Sequence, residues 1–177
     1  MGDVIENDLR QMGERPILAT NDTDPLPLLR QRLRALLERP VAATPVDELF
    51  ALGADLHRGG DAEAALAAFE RCVEAAPAAI GGWHAVAALR QALGRPRAAL
   101  VACNEALRLA PDDADTLFNT AVLLDALGEM PGARLAYERA LQRAPQHAGA
   151  LLNLVPLLLR ERQVDAAARV SAQALSV

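Results

Sequence analysis

The side chains in this sequence that could support catalysis or hold a metal are three histidines and two cysteines. His57, His84 and His147 have no second histidine, cysteine or aspartate at metal-ligand spacing on the same predicted helix, so we expect surface or groove-lining histidines rather than a zinc site. Cys72 and Cys103 match no metal motif, and we expect them to be small buried apolar residues rather than nucleophiles. The sequence therefore predicts no metal and no cofactor.

Acidic pairs and glycine pairs also have simple structural interpretations. Asp112 and Asp113 stand at the start of a predicted helix, where the helix dipole and the free amides favour carboxylates without any acid-base role. The pairs Gly59-Gly60 and Gly81-Gly82 lack the strand-turn-helix context and the Lys-Ser/Thr ending of a phosphate-binding loop. We identify no catalytic residues and predict that the chain is not an enzyme.

Composition and charge narrow the class of protein further. The chain has 177 residues, of which 52% are hydrophobic and only 3% aromatic, so large β-forming residues are scarce and an all-β fold is disfavoured. Its formal net charge of -5 argues against a phosphate-backbone partner, and we expect no nucleic acid binding. The acidic amino terminus does not resemble a signal peptide and no apolar run is long enough to cross a bilayer, so we expect a cytoplasmic protein without membrane insertion.

An internal repeat with a period of 34 residues organises most of the sequence. Four independent columns share this spacing. They consist of a closing proline, a glycine, a small alanine and a large apolar residue: Pro77, Pro111 and Pro145; Gly60, Gly94 and Gly128; Ala65, Ala99, Ala133 and Ala167; and Leu49, Trp83, Leu117 and Leu151.

Each repeat unit predicts two antiparallel helices. Apolar residues recur at three- and four-residue steps on both sides of the glycine, which marks the turn, and the proline ends the second helix because it has no amide hydrogen to donate. Start signals agree with these stops: the segment Thr44-Pro45-Val46-Asp47 and the Asp112-Asp113 pair place capping or acidic side chains at the first turn.

These residues resemble the tetratricopeptide repeat, a helix-turn-helix unit of the same length. The resemblance implies an all-α fold, a right-handed superhelical array of antiparallel helix hairpins with a concave groove lined by the first helix of each unit. We place the units at residues 46–79, 80–113, 114–147 and 148–177. Residues 24–45 are predicted to form an amino-terminal capping helix and linker, with Leu29, Leu33, Leu36 and Leu37 as its apolar stripe, and residues 1–23 a mobile tail.

The fourth unit departs from the pattern. Arg162 stands in the glycine column and Ser171 in the aromatic column, and no capping helix follows the unit. The exposed apolar end that this implies could stack on a second copy of the chain, so a homo-oligomer through the carboxyl-terminal end is one hypothesis.

In the family, the groove binds extended peptides or segments of partner proteins, and the resemblance implies the same use here. In some members, such as protein O-linked N-acetylglucosamine transferases, an asparagine column on that face binds the ligand backbone, and Asn119 and Asn153 form half of such a column in this chain. One helical turn away, the groove is predicted to present two lines of residues: His57, Gln91 and Asp125, and the more apolar Phe50, His84, Phe118 and Leu152.

Two alternatives to that interpretation stay open. The aromatic and leucine side chains could pack between adjacent units, and the asparagines could bind only water. A clamp for a carboxyl-terminal carboxylate, as some members have, is not expected, because the chain has no lysine and Arg58 and Arg160 are far apart in the array.

The leading hypothesis is therefore a non-enzymatic scaffold that binds a partner peptide or segment in its concave groove. The alternatives are a substrate-recruiting amino-terminal domain of a larger enzyme, such as a protein glycosyltransferase, and a self-assembling adaptor.

Overall fold

The computed structural model describes residues 24–175, and over this range the chain is an all-α solenoid of helix hairpins without any β-strand, as the sequence predicts. The predicted mobile tail at 1–23 and the last two residues of the fourth unit lie outside the described residues. Within residues 24–175, nine α-helices follow one another in chain order. They are α1 (Leu26–Leu37), α2 (Val46–Arg58), α3 (Ala62–Ala75), α4 (Ile80–Ala92), α5 (Pro96–Leu109), α6 (Ala114–Ala126), α7 (Met130–Arg143), α8 (Ala148–Arg160) and α9 (Val164–Ala174).

The helices pair in hairpins that repeat with the period of the sequence. α2 packs on α3, α4 on α5, α6 on α7 and α8 on α9, and the second helix of each hairpin packs on the first helix of the next. The first helices begin at Val46, Ile80, Ala114 and Ala148, at the same position of every unit. Because neighbours in sequence are neighbours in space, the apolar core runs along the whole array rather than collecting at one centre.

The amino-terminal end of this core is covered by α1, which packs on α2 and α3. Leu33 and Leu36 of its predicted apolar stripe are buried, and Leu29 is partly buried against the same core. Leu37 was assigned to that stripe too, but it is exposed, because the helix ends there and the chain turns away at Glu38.

Turns inside the hairpins explain the glycine column. Gly60, Gly94 and Gly128 have φ angles of 86°, 70° and 78°, in the left-handed region that a residue without Cβ adopts at low cost. Arg162 occupies the same position in the fourth unit with a φ of 59°. The turn of the fourth hairpin therefore has the same left-handed backbone geometry as the other turns, but arginine stands where that geometry favours glycine.

Helix capping follows the sequence only in part. Asp113 caps α6 as expected, since its carboxylate accepts from the Thr116 amide at 2.9 Å, and Asp61 caps α3 in the same way. Thr44 does not cap α2: the helix begins after Pro45, and the Thr44 hydroxyl donates instead to the Pro40 carbonyl at 3.3 Å.

The last hairpin is the least buried part of the array. α9 has Ala167 as its one buried residue, whereas α3 buries six side chains at the equivalent place in the first unit. Pro156 lies inside α8, which continues to Arg160 although proline cannot donate the usual hydrogen bond to the preceding turn.

None of the helices in residues 24–175 is long and apolar enough to cross a membrane.

The Arg162→Gly variant should be more stable than the natural chain by about 0.5–1 kcal/mol, because the relief of left-handed strain exceeds the extra entropy that glycine has in the unfolded state. Urea denaturation with hydrogen exchange of the α9 amides measures the effect. The reciprocal change Gly128→Arg should lose stability by a similar amount, and equal stabilities for all three chains would contradict the assignment of strain to this turn.

Candidate functional site

The first helices of the units, α2, α4, α6 and α8, form a continuous face that we call the groove. Side chains connect neighbouring members of this face: His84 of α4 contacts Thr116 of α6 at 2.7 Å, and Arg160 of α8 contacts Asp125 of α6 at 2.5 Å. The nine residues that the sequence assigned to the groove all lie on these helices, at equivalent positions of successive units.

The apolar residues of the groove differ in how free they are. Leu152 is 65% exposed and contributes an open apolar surface. Phe50 is 41% exposed and also packs edge-on against Phe69, with the ring centroids 5.0 Å apart. Phe118 is half-buried, with its ring centroid 4.6 Å from that of His147, so it packs between the third and fourth units. Leu152 is therefore free to contact a ligand, Phe118 packs within the array, and Phe50 does both.

The two asparagines are not equivalent. Asn119 is exposed on α6, so solvent or a ligand backbone can reach its side chain. Asn153 is half-buried beside the Tyr137 hydroxyl, on which it acts as a hydrogen-bond partner, while burial is the main cause that raises the pKa of this phenol. The column therefore offers one free amide, and the other is engaged within the fold.

Charged and polar partners connect the units across the groove. Asp125 pairs with Arg160 of the next first helix, so neither is an isolated charge. The Arg160 side chain is half-exposed and the pair is open to solvent screening, so its contribution to stability is modest. Gln91, at the equivalent position one unit earlier, is exposed.

The three histidines have different surroundings. The His84 ring lies 2.7 Å from the Thr116 hydroxyl, which donates to Asp113, so a polar chain connects the second and third units. His147 caps α8, because its Nδ1 accepts from the Ala150 amide at 3.1 Å, and its Nε2 lies 3.2 Å from Asp115. His57 is exposed at the amino-terminal end of the groove.

These contacts between the beginnings of neighbouring first helices were not predicted from the sequence. His84 and Thr116, like Asp115 and His147, are separated by 32 residues, slightly less than one repeat. The sequence signal that could have predicted them is a histidine and a polar residue separated by 32 residues, two fewer than the repeat period.

A pocket of about 390 Å³ opens on the groove between α2 and α4. Alanines line its walls, and Phe69 of α3 lies at its base. Two residues that the sequence singled out, His57 and Arg58, stand at its edge.

Metal-ligating groups and cysteines were the candidate reactive side chains in the sequence. Among residues 24–175, no group of three or more histidine, cysteine or acidic side chains is placed to hold a metal ion. Cys72 and Cys103 are free and buried, and burial raises the pKa of both thiols, that of Cys72 to about 11.

Comparison with known proteins agrees with this architecture. Tetratricopeptide repeat family models match residues 115–147 and 50–78. A crystal structure of MamA superposes with a TM-score of 0.73 at 20% identity, over 84% of this chain and 83% of MamA. A tetratricopeptide repeat protein from Parabacteroides merdae ATCC 43184 gives a TM-score of 0.71 at 22% identity, over 74% of this chain and 52% of its own.

A third similar structure holds a ligand. It is the first TPR of Spaghetti (RPAP3) bound to the HSP90 peptide SRMEEVD, with a TM-score of 0.63 at 20% identity, over 66% of this chain and 93% of its own. A search of curated protein sequences gave no significant match.

The two thiols of the native chain should react with a disulfide reagent far more slowly than a free cysteine at mildly alkaline pH, because the thiolate is the nucleophile and burial keeps both groups protonated. Absorbance of the released thiol measures the rate. Unfolding in denaturant should expose both groups to rapid reaction, whereas fast reaction of the folded chain would contradict the buried placement.

Proposed function

We propose that this tetratricopeptide repeat protein is a scaffold, and that it binds an extended or helical segment of a partner protein along the groove. The observation that carries the proposal is the mixed character of the exposed groove surface. Asn119 offers a free amide, and Leu152 and Phe50, on the first helices of the fourth and the first unit, offer apolar surface. An amide can both donate to and accept from a peptide backbone, while apolar side chains supply the burial that gives affinity.

The similar fold that binds a peptide supports this use of the groove. RPAP3 is bound to the peptide SRMEEVD, which shows that a fold of this kind accommodates a short linear segment. For the present chain we propose a segment that is not held by a terminal carboxylate clamp, since the chain has no lysine and Arg58 and Arg160 lie on the first helices of the first and the fourth unit.

We also propose that the protein works in the reducing cytoplasm. Its two cysteines are free thiols buried on separate second helices, and a compartment that keeps thiols reduced suits them.

Self-association through the carboxyl-terminal end is a second candidate function, favoured by the exposure of the last hairpin. Val164 and Leu159 are largely exposed, and Leu175 is 90% exposed. In a longer array a further first helix would cover this surface, so a second copy of the chain could serve the same purpose.

Groove binding predicts that the double variant Asn119→Ala, Leu152→Ser loses the partners that the intact chain captures from native lysate, as measured by quantitative mass spectrometry. Both side chains are exposed, so the fold should be unaffected and thermal unfolding should be unchanged within about 0.5 kcal/mol. Asn153 is left in place because its amide is engaged with Tyr137.

The matched control is Val101→Ser with Leu135→Ser, which removes exposed apolar side chains from the second helices α5 and α7. It should retain the partners. Loss of the partners by the control and their retention by the groove variant would assign binding to the outer face and refute the groove.

Self-association predicts an average mass that rises with protein concentration in light scattering and that Val164→Ser with Leu175→Ser returns to the monomer value. The physical reason is that serine removes most of the apolar area that the contact would bury. A monomeric mass of the natural chain at all concentrations would rule out this second candidate.

A further inference from the structure

The pocket between α2 and α4 is apolar because its walls are built from the smallest side chain with a Cβ. One alanine comes from α2 and three from α4, namely Ala54, Ala85, Ala88 and Ala92. Its volume of about 390 Å³ lies at the lower end of the range for ligand pockets, which suits one or two side chains better than a cofactor.

The base of the pocket is fixed by a close contact inside the first unit. The ring of Phe69 lies directly against Gly53, where an added Cβ would stand only 3.0 Å from the ring. Phe69 is itself buried and is held from a second side by Phe50. A rigid aromatic surface therefore faces the opening, rather than a side chain that could fold over and fill it.

The chain contains its own comparison for this pocket, two repeat lengths later. At the junction of the third and fourth units, the positions of the four alanines are occupied by larger residues, namely Val122, Asn153, Pro156 and Arg160. There Arg160 pairs with Asp125 and Asn153 lies beside Tyr137, the counterpart of Phe69. The same backbone arrangement is thus occupied by the protein's own side chains at one junction and left open at the other.

The rim of the open pocket carries one arginine and one histidine, both of which can donate hydrogen bonds. Arg58 and His57 stand side by side at the end of α2, and the Arg58 side chain is 77% exposed. Arg58 pairs with Asp55 three residues earlier, and such an exposed pair within one helix is weak enough to exchange for another carboxylate. The rim therefore complements an acidic residue next to an apolar one.

We propose that this pocket sets the specificity of the groove: it takes one large apolar side chain, such as leucine, methionine or phenylalanine, from the partner segment, and Arg58 with His57 binds an acidic residue of the same segment. The inference rests on the proposed function and deepens it, because it names the chemistry of the partner. The apolar side chain provides affinity through burial, and the carboxylate provides orientation.

The test is a selection of short linear peptides from a random phage-displayed library on the intact chain, followed by fluorescence anisotropy with the enriched peptides. We expect the enriched sequences to share an apolar residue with Asp or Glu close to it. The variant Ala54→Val, Ala88→Leu, which fills the pocket with helix-compatible side chains, should bind them at least about tenfold more weakly, since one buried apolar side chain is lost. Arg58→Glu should weaken the binding of the acidic peptides and strengthen the binding of peptides in which Lys or Arg replaces the acidic residue.

Ala172→Leu is the matched control, because it adds the same kind of side chain at an exposed alanine of the second helix α9, outside the groove, and it should bind as the intact chain does. Thermal unfolding of every variant shows that it is folded. Enriched peptides without an apolar residue, or equal affinity for the filled variant, would overturn the proposal.

The outcomes separate this inference from the proposed function. If the peptides bind the pocket-filled variant as well as the intact chain but do not bind the Asn119→Ala, Leu152→Ser variant, the pocket is refuted and binding along the groove is retained. If both variants bind the peptides as the intact chain does, the pocket and the groove are both refuted. Peptides enriched only after removal of residues 1–23 would make the chain's own amino-terminal segment the occupant and overturn the partner. If the natural chain self-associates and the Ala54→Val, Ala88→Leu variant does not, the occupant of the pocket is a second copy of the chain, which would also overturn the proposed partner segment.

Discussion

Close contact between neighbouring helices at a column of alanines is the constraint on which this array depends. Ala65, Ala99 and Ala133 are completely buried, and Ala167 nearly so, one on the second helix of each unit. A larger side chain there would push the second helix away from the first and expose the apolar stripes of both. Since a single hairpin cannot bury its own stripe, each unit is stable only through its neighbours, and a regular series of small residues keeps the stack regular.

The same dependence makes the two ends of the array unlike each other. At the amino-terminal end, α1 supplies Leu33 and Leu36 to the core and covers the first hairpin. At the carboxyl-terminal end, no further helix within residues 24–175 packs on α9, and Val164 at its start is 63% exposed. The turn before it also retains a strained arginine in place of glycine. Lower local stability and an exposed apolar surface coincide in the same hairpin, which is where a stacking partner would have the greatest effect.

The proposed selectivity of the groove depends on a regular backbone that carries different side chains in each unit. The positions of the four pocket alanines carry Val122, Asn153, Pro156 and Arg160 two repeats later, and of these Asn153 and Arg160 have partners within the fold. The amino-terminal half therefore has an open apolar pocket bordered by Arg58 and His57, while in the carboxyl-terminal half Arg160 and Asn153 are engaged within the fold and Leu152 is exposed. A segment lying along the groove would meet these two chemistries in a fixed order, so the arrangement could distinguish both its composition and its direction.

The sequence by itself determined the fold class, the period and the helix pairs, because these depend on local signals: glycine at the left-handed turn, proline after the second helix and alanine at the contact. It also assigned nine candidate residues to the first helices, since position within a repeat decides which helix and face a side chain takes. The tertiary structure alone decided which of those residues are free. Asn119 and Asn153 share a column, but Tyr137 from another helix engages only the second. The pocket beside Phe69 likewise depends on atoms of three helices, and no local pattern records the space that alanines leave between them.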